Sequence, residues 1–284
     1  MIIAQITDMH LSTAGSRNDR LLRTAAHLER AVTHLNALRP RPDAVIATGD
    51  LSEHGRVEEY ERLRAMLESL AMPAYLIPGN HDDRENLRRV FDHHRYLPRD
   101  GSFIQYTVEE WPLRLVALDT LVPGENGGRL CASRLAWLEA RLTEAPERPT
   151  LIFMHHPPFA TGIISMDGMG LDGIEALVAV IRHHPQVERI VCGHVHRPIL
   201  RRFAGTVACT CPATAHQLAL DLPPEGRLAV VMEPPACMLH VWLGEQEGLV
   251  THVSLIGTRH PAFTVFDGSR WLKDAVPPAD FHPN

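Results

Sequence analysis

The 284-residue chain is 45% apolar and only 22% charged, which suits one large domain with a full core and at most a small appendage. Its net charge of -6 comes without a basic stripe, which argues against a binder of polymeric nucleic acid. Five cysteines (Cys131, Cys192, Cys209, Cys211, Cys237) form an odd set with no CxxC pair; reduced thiols and a cytoplasmic protein are expected, with no secretory signal in "MIIAQITD" and no membrane-spanning run.

In chain order, apolar runs that stop abruptly at polar residues alternate with stretches of helical periodicity. The pattern predicts a strand at 2–7, a helix at 19–38, a strand at 44–48, a helix at 57–70, a strand at 74–78 and a helix at 83–91. It continues with a strand at 113–118, a helix at 133–142, a strand at 150–154, a helix at 173–183 and a strand at 189–192. This order implies an α/β fold with a largely parallel central sheet, whose ligand sites lie beyond the carboxyl ends of the strands. From about Arg201 onward, short β patterns broken by "DLPPEG" and "EPPA" predict hairpins that finish the core and build a small cap.

Five of these strands end in metal-type side chains. "IIAQITDMH" runs into Asp8 and His10, "AVIATGD" into Asp50, "AYLIPGNHDD" into Asn80 and His81, "LIFMHHPP" into His155 and His156, and "RIVCGHVH" into His194 and His196. A single Asp after a strand is often a helix cap, and a single "HH" means little. Five such clusters in order are hard to assign to caps and turns together.

Asp8, His10, Asp50, Asn80, His155, His194 and His196 offer seven oxygen or nitrogen donors and no thiolate, too many for one tetrahedral zinc. Two cations sharing Asp50 would each have four protein ligands, and Mn, Fe, Co or Zn would suit the set. The i, i+2 spacing of Asp8 with His10, and of His194 with His196, would point both side chains one way in an extended segment, with Val195 turned away. Gly49, Gly79 and Gly193 are expected to permit unusual backbone angles at the strand exits.

The blocks "DMH", "GD", "GNHD", "H" and "GHVH" resemble the calcineurin-like metallophosphoesterase superfamily, over Asp8 to His196. The resemblance implies a four-layer αββα sandwich of two mixed β-sheets, with a dinuclear centre at the loops and a small β-rich cap. It implies one metal on Asp8, His10, Asp50 and His196, and a second on Asp50, Asn80, His155 and His194. Paired cations can acidify a bridging water and hold a phosphoryl oxygen for in-line attack. Asp50 and Asn80 would thus serve catalysis directly, with His81 stabilising the transition state and protonating the leaving alkoxide. Asp82 is a candidate to orient the His81 ring or to cap the following helix, and His156 is expected to stand behind the ligands or line the pocket rather than bind metal.

Stretches such as "YLIPGNHDD", "IFMHHPP" and "TAHQ" are most similar to the bacterial glycerophosphodiesterase and class III cyclic-nucleotide phosphodiesterase group. That implies hydrolysis of small phosphodiesters, with His81 and His216 touching substrate and a homo-oligomer, dimer or higher, formed through the cap. The division is then a catalytic core at 1–200, core completion and a cap or dimerisation segment at 201–257, and a C-terminal tail at 258–284. A phosphomonoesterase and a non-catalytic metal-binding scaffold are the alternatives. Only Arg84 and Arg197 flank the ligand blocks, which favours a singly charged diester over a dianionic monoester.

Overall fold

The computed structural model describes residues 1–223, 225–257, 262–272 and 276. Its first half runs β1 (Ile2–Ile6), α1 (Arg17–Leu22), α2 (Thr24–Ala37), β2 (Ala44–Thr48), α3 (Val57–Leu67), β3 (Ala74–Ile77), α4 (Arg84–Val90), β4 (Tyr106–Val108) and β5 (Arg114–Leu118). Next come β6 (Gly128–Arg129), α5 (Ala132–Thr143), β7 (Thr150–Met154), α6 (Ile164–Asp167), β8 (Leu171–Asp172), α7 (Ile174–Arg182) and β9 (Val187–Cys192). The rest is β10 (Ile199–Phe203), β11 (Thr206–Thr210), β12 (Gln217–Leu218), β13 (Val230–Val231), β14 (Ala236–Trp242) and β15 (Leu249–Leu255).

These strands build two mixed sheets rather than one largely parallel sheet, in the orders β15-β14-β1-β2-β3 and β10-β11-β9-β7-β5-β4. Alternation along the second sheet shows why it is covered on both faces. Leu115, Ala117, Leu151 and Phe153 join the core shared with the first sheet, whereas Val116, Leu118, Ile152 and Met154 pack with Leu138 and Leu142 of α5 and Leu177 of α7. The first sheet is covered by α2 and α3, through residues such as Leu28, Leu35 and Leu63. The result is a four-layer αββα sandwich.

Between the sheets runs a buried polar bridge. Gln5 of β1 donates through Nε2 to Thr48 Oγ1 and to the carbonyl of Cys192, each at 2.9 Å, and accepts from His240 Nε2 at 3.1 Å. The C-terminal strands divide their work: β14 and β15 complete the first sheet, β10 and β11 the second, and β12 pairs with β13 in a small hairpin.

The helix expected at 19–38 is two helices. Arg23 adopts φ 51°, ending α1, and α2 begins at Thr24, whose hydroxyl donates to the carbonyl of His10 at 3.1 Å. No residue of α1 is buried, so packing does not hold the two in line. The tail expected at 258–284 lies outside the described residues except for 262–272 and 276, where Phe266 bridges to Trp271.

Candidate metal centre and active site

The seven predicted donors converge beyond the carboxyl ends of β1, β2, β3, β7 and β9, in two sets that share Asp50. In one, His10 Nε2 lies 3.2 Å from His196 Nε2, His196 Nε2 lies 3.3 Å from Asp8 Oδ1, and His10 Nε2 lies 3.6 Å from Asp50 Oδ2. In the other, Asn80 Oδ1 is 3.1 Å from both His155 Nε2 and His194 Nδ1, and His155 Nε2 is 3.4 Å from Asp50 Oδ2. Both carboxylates also anchor another block: Asp50 Oδ1 accepts from the amide of His81 at 2.9 Å, and Asp8 accepts from the amide of His194 at 3.1 Å.

Strand alternation does not achieve this convergence. Asp8, His10, Asp50, His194 and His196 all have positive φ, between 44° and 70°, and among the described residues only Arg23 and Ala204 join them outside glycine. Left-handed backbone at such residues carries strain, which clusters where function fixes a side chain. Each pair flanking Met9 or Val195 is therefore aimed by two left-handed residues, not by a pleat. Of the three glycines, Gly49 has φ 91° as expected, but the other two are needed for space. A Cβ on Gly79 would stand 2.2 Å from Asp50 Oδ1, and one on Gly193 2.1 Å from Thr7 Oγ1.

The hydrogen bonds on the outer side of each ring fix which nitrogen faces inward. His10 Nδ1 donates to Glu53 Oε2 (3.0 Å), His155 Nδ1 to the Thr48 carbonyl (2.7 Å), His196 Nδ1 to the His216 carbonyl (3.0 Å) and His194 Nε2 to the Met169 carbonyl (3.0 Å). With those protons committed, the inward nitrogens of the neutral rings present lone pairs to one another and to the Asn80 and carboxylate oxygens. Such pairs repel unless a cation lies between them, a proton on His155 in the metal-free protein or a metal ion once bound, and outward acceptors behind metal-binding histidines are the usual support. The side chains therefore fit two metal ions.

Carboxylates and imidazoles of the cluster shift one another. Burial works against charge on Asp8 and His155, but their opposite-charge neighbours prevail: His196 helps hold the Asp8 carboxyl at about 2, and Asp50 raises the His155 imidazole to about 9. His194 is lowered to about 4 by burial and by His155. His216 is lowered to about 3 by burial and by His196 and His10, so it stays neutral.

His81 lines the same cavity and donates through Nδ1 to the Glu53 carbonyl at 2.9 Å, which leaves Nε2 as its free nitrogen. Asp82 does not orient it and does not cap α4. The Asp82 carboxylate instead accepts from the amides of Leu51, Ser52 and Gly79 and from the Tyr60 hydroxyl, binding the Asp50 loop to the Asn80 loop; Asp83 caps the helix. His156 is bonded to Thr120 Oγ1 and to the Asn126 carbonyl, behind the donors. His216 lines the cavity, and its Nδ1 has no hydrogen-bond partner among the described residues. Sequence reading missed Glu53, whose only local signal is an acid three residues after Asp50.

The cavity measures about 370 Å³ and is walled on one side by Leu22, Met166, Met169, Leu218, Leu228 and Val230. No lysine or arginine lines it among the described residues. Arg84 is held away by a two-pronged pair with buried Asp119 (2.6 and 2.8 Å), and Arg197 by the Leu218 carbonyl and Glu233.

A four-layer sandwich with clustered histidines and aspartates at its strand ends is the framework of a metal-dependent phosphoesterase. The chain belongs to the calcineurin-like phosphoesterase family, which matches residues 1–198. It is 37% identical over 258 residues to the probable glycerophosphodiester phosphodiesterase GpdQ of Arcobacter nitrofigilis, covering 90% of this chain and 94% of that protein. It is also 37% identical over 266 residues to a probable cyclic nucleotide phosphodiesterase of Rhodopseudomonas palustris, covering 92% and 95%. The fold is shared with a dimetal phosphatase from Danio rerio, at a TM-score of 0.58 and 17% identity over 90% of this chain and 99% of that one. Family membership and the clustered histidines and aspartates imply bound divalent metal ions.

Proposed function

We propose that the chain hydrolyses small phosphodiesters, 3',5'-cyclic nucleotides or glycerophosphodiesters, with a dinuclear centre of Mn, Fe, Co or Zn. The observation that carries this reading is the pair of lone-pair donor sets sharing Asp50, beside a cavity with no lysine or arginine among the described residues. A dianionic monoester would call for added cations, whereas a singly charged diester can be held by the metal centre alone. The two relatives described above act, by name, on such diesters.

In this reading Asp8, His10, Asp50 and His196 hold one ion, and Asp50, Asn80, His155 and His194 the other. The bound ions would acidify a water and neutralise phosphoryl oxygens. His81, with Nδ1 committed to Glu53, delivers a proton from Nε2 to the leaving alkoxide. Neutral His216 contacts the substrate, and the apolar wall takes its organic part.

Residues 1–200 are assigned as the catalytic core, 201–257 as core completion and cap, and 258–284 as a tail. The cap supports assembly of two or more copies, because Leu220, Leu222, Leu228 and Met232 are at least half exposed there. Sedimentation of wild type beside Leu222→Glu checks this: an unchanged mass in the variant counts against the cap as the interface. Five free cysteines, four of them buried, support a reducing, cytoplasmic setting.

The deciding experiment is turnover of bis(p-nitrophenyl) phosphate beside p-nitrophenyl phosphate, on metal-stripped protein reconstituted with each metal and on Asn80→Ala. A metal-dependent preference for the diester that Asn80→Ala loses is expected. Faster turnover of the monoester would move the assignment to a phosphatase.

A further inference from the structure

We infer that Glu53 is a positioning residue that holds the metal-facing His10 and the proton donor His81 in register; this rests on the proposed reading of the site as a metal centre. Of the four inward-facing histidines, three are held from behind by backbone carbonyls, those of Thr48, Met169 and His216. His10 alone is held by a carboxylate, at 3.0 Å from Glu53 Oε2.

The other Glu53 oxygen is already engaged, accepting from Asn18 Nδ2 at 2.9 Å, so both carboxylate oxygens are held behind the ring. The backbone of the same residue serves the second histidine: its carbonyl accepts from His81 Nδ1 at 2.9 Å, and its amide donates to the Leu11 carbonyl at 3.2 Å. The His10 and His81 rings consequently meet edge to face, with centroids 4.6 Å apart. A carboxylate behind an imidazole fixes its tautomer and strengthens the opposite nitrogen as a ligand. The two roles separate chemically: removing the side chain frees His10, while the carbonyl that holds His81 remains.

The test is cobalt(II) titration of metal-stripped wild type, Glu53→Ala, Glu53→Gln and His81→Ala, followed by visible absorption of the bound cobalt and by calorimetry, with thermal melts as the folding control. Wild type is expected to take up two ions. Glu53→Ala should weaken one of them by about 10 to 100-fold and alter its absorption band, as loss of an outer partner typically does. Glu53→Gln, which keeps an acceptor for His10, should recover most of that loss, and His81→Ala should leave both affinities unchanged. Two ions bound by Glu53→Ala with wild-type affinity and absorption would overturn the inference while leaving the metal centre standing. A wild type that takes up no cobalt would overturn the metal-centre reading and this inference with it. Should Glu53→Ala not fold, Glu53→Leu, which fills the space without an acceptor oxygen, takes its place: weakened uptake with a native melt supports the inference, and native uptake overturns it.

Discussion

The Nδ1 of His155 donates to the carbonyl of Thr48 at 2.7 Å, so the last residue of β2 in one sheet sets the tautomer of a histidine that follows β7 in the other. Asp8, Asp50 and Asn80 likewise leave the first sheet, while His155, His194 and His196 leave the second. The donor set forms only when the two sheets close on each other.

His155 also predicts how metal uptake responds to pH. In the metal-free protein Asp50 raises its imidazole to about 9 against the effect of burial, so it carries a proton at neutral pH. A cation needs the neutral ring, so uptake should release protons, and apparent affinity should fall as pH falls, by about tenfold per unit for each proton displaced. Calorimetry at pH 7.5 in buffers of different ionisation heat measures this directly. Heats independent of buffer would sink the idea.

Replacing His81 by alanine should separate proton delivery from metal binding. The expected loss in kcat is about 10² to 10⁴-fold for a diester with a poor alkoxide leaving group. It should be much smaller for p-nitrophenolate, which leaves without a proton, and metal content should stay at the wild-type level. An equal loss on both substrates would assign His81 to charge stabilisation instead.

Gly79→Ala should disable the centre, because its Cβ would collide with Asp50 Oδ1 at 2.2 Å and with the Asp50 amide at 2.3 Å. The control is Gly15→Ala, where nothing lies within 4 Å and only φ 72° opposes the change. The control should lose about 1 kcal/mol of stability and keep its metal, as expected for a left-handed residue alone. Elemental analysis of both purified variants decides; native metal content in Gly79→Ala would refute the steric account.

Acid stability should depend on His240, which is fully buried and donates to Gln5 between the sheets. Burial lowers its pKa from 6.5 to about 3, with Arg189 adding to the shift. Below pH 6.5 the unfolded chain therefore takes up a proton that the folded chain refuses until about pH 3, and stability falls as pH drops through that window. Between pH 6.5 and 5 this one group costs about 2 kcal/mol. Urea unfolding at both pH values should show His240→Gln losing less than wild type by about that amount, and equal losses would exclude His240 as the cause.

The alternation of apolar runs with helical periodicity placed each of the six predicted strands within two residues of its observed bounds. The misses have physical causes. Arg23 breaks the first predicted helix with neither glycine nor proline to signal it. Periodicity alone suggested one central sheet, because strand order cannot reveal where one sheet ends and the next begins; the two mixed sheets that the structure shows were implied by the motif resemblance. Asp82 looked like a partner for His81 by adjacency, yet the donors that claim it come from Leu51, Ser52 and Tyr60, about twenty to thirty residues away.

By itself the sequence determined the chemical identity of the donors and their place at strand ends, because strand and helix periods are local properties of the chain. Only the tertiary structure decided which nitrogen of each histidine faces inward, which arginines stay out of the cavity, and that left-handed residues rather than strand alternation aim the candidate donors. Each of those depends on a partner far away in sequence, a carbonyl or a carboxylate, that folding brings within hydrogen-bonding distance.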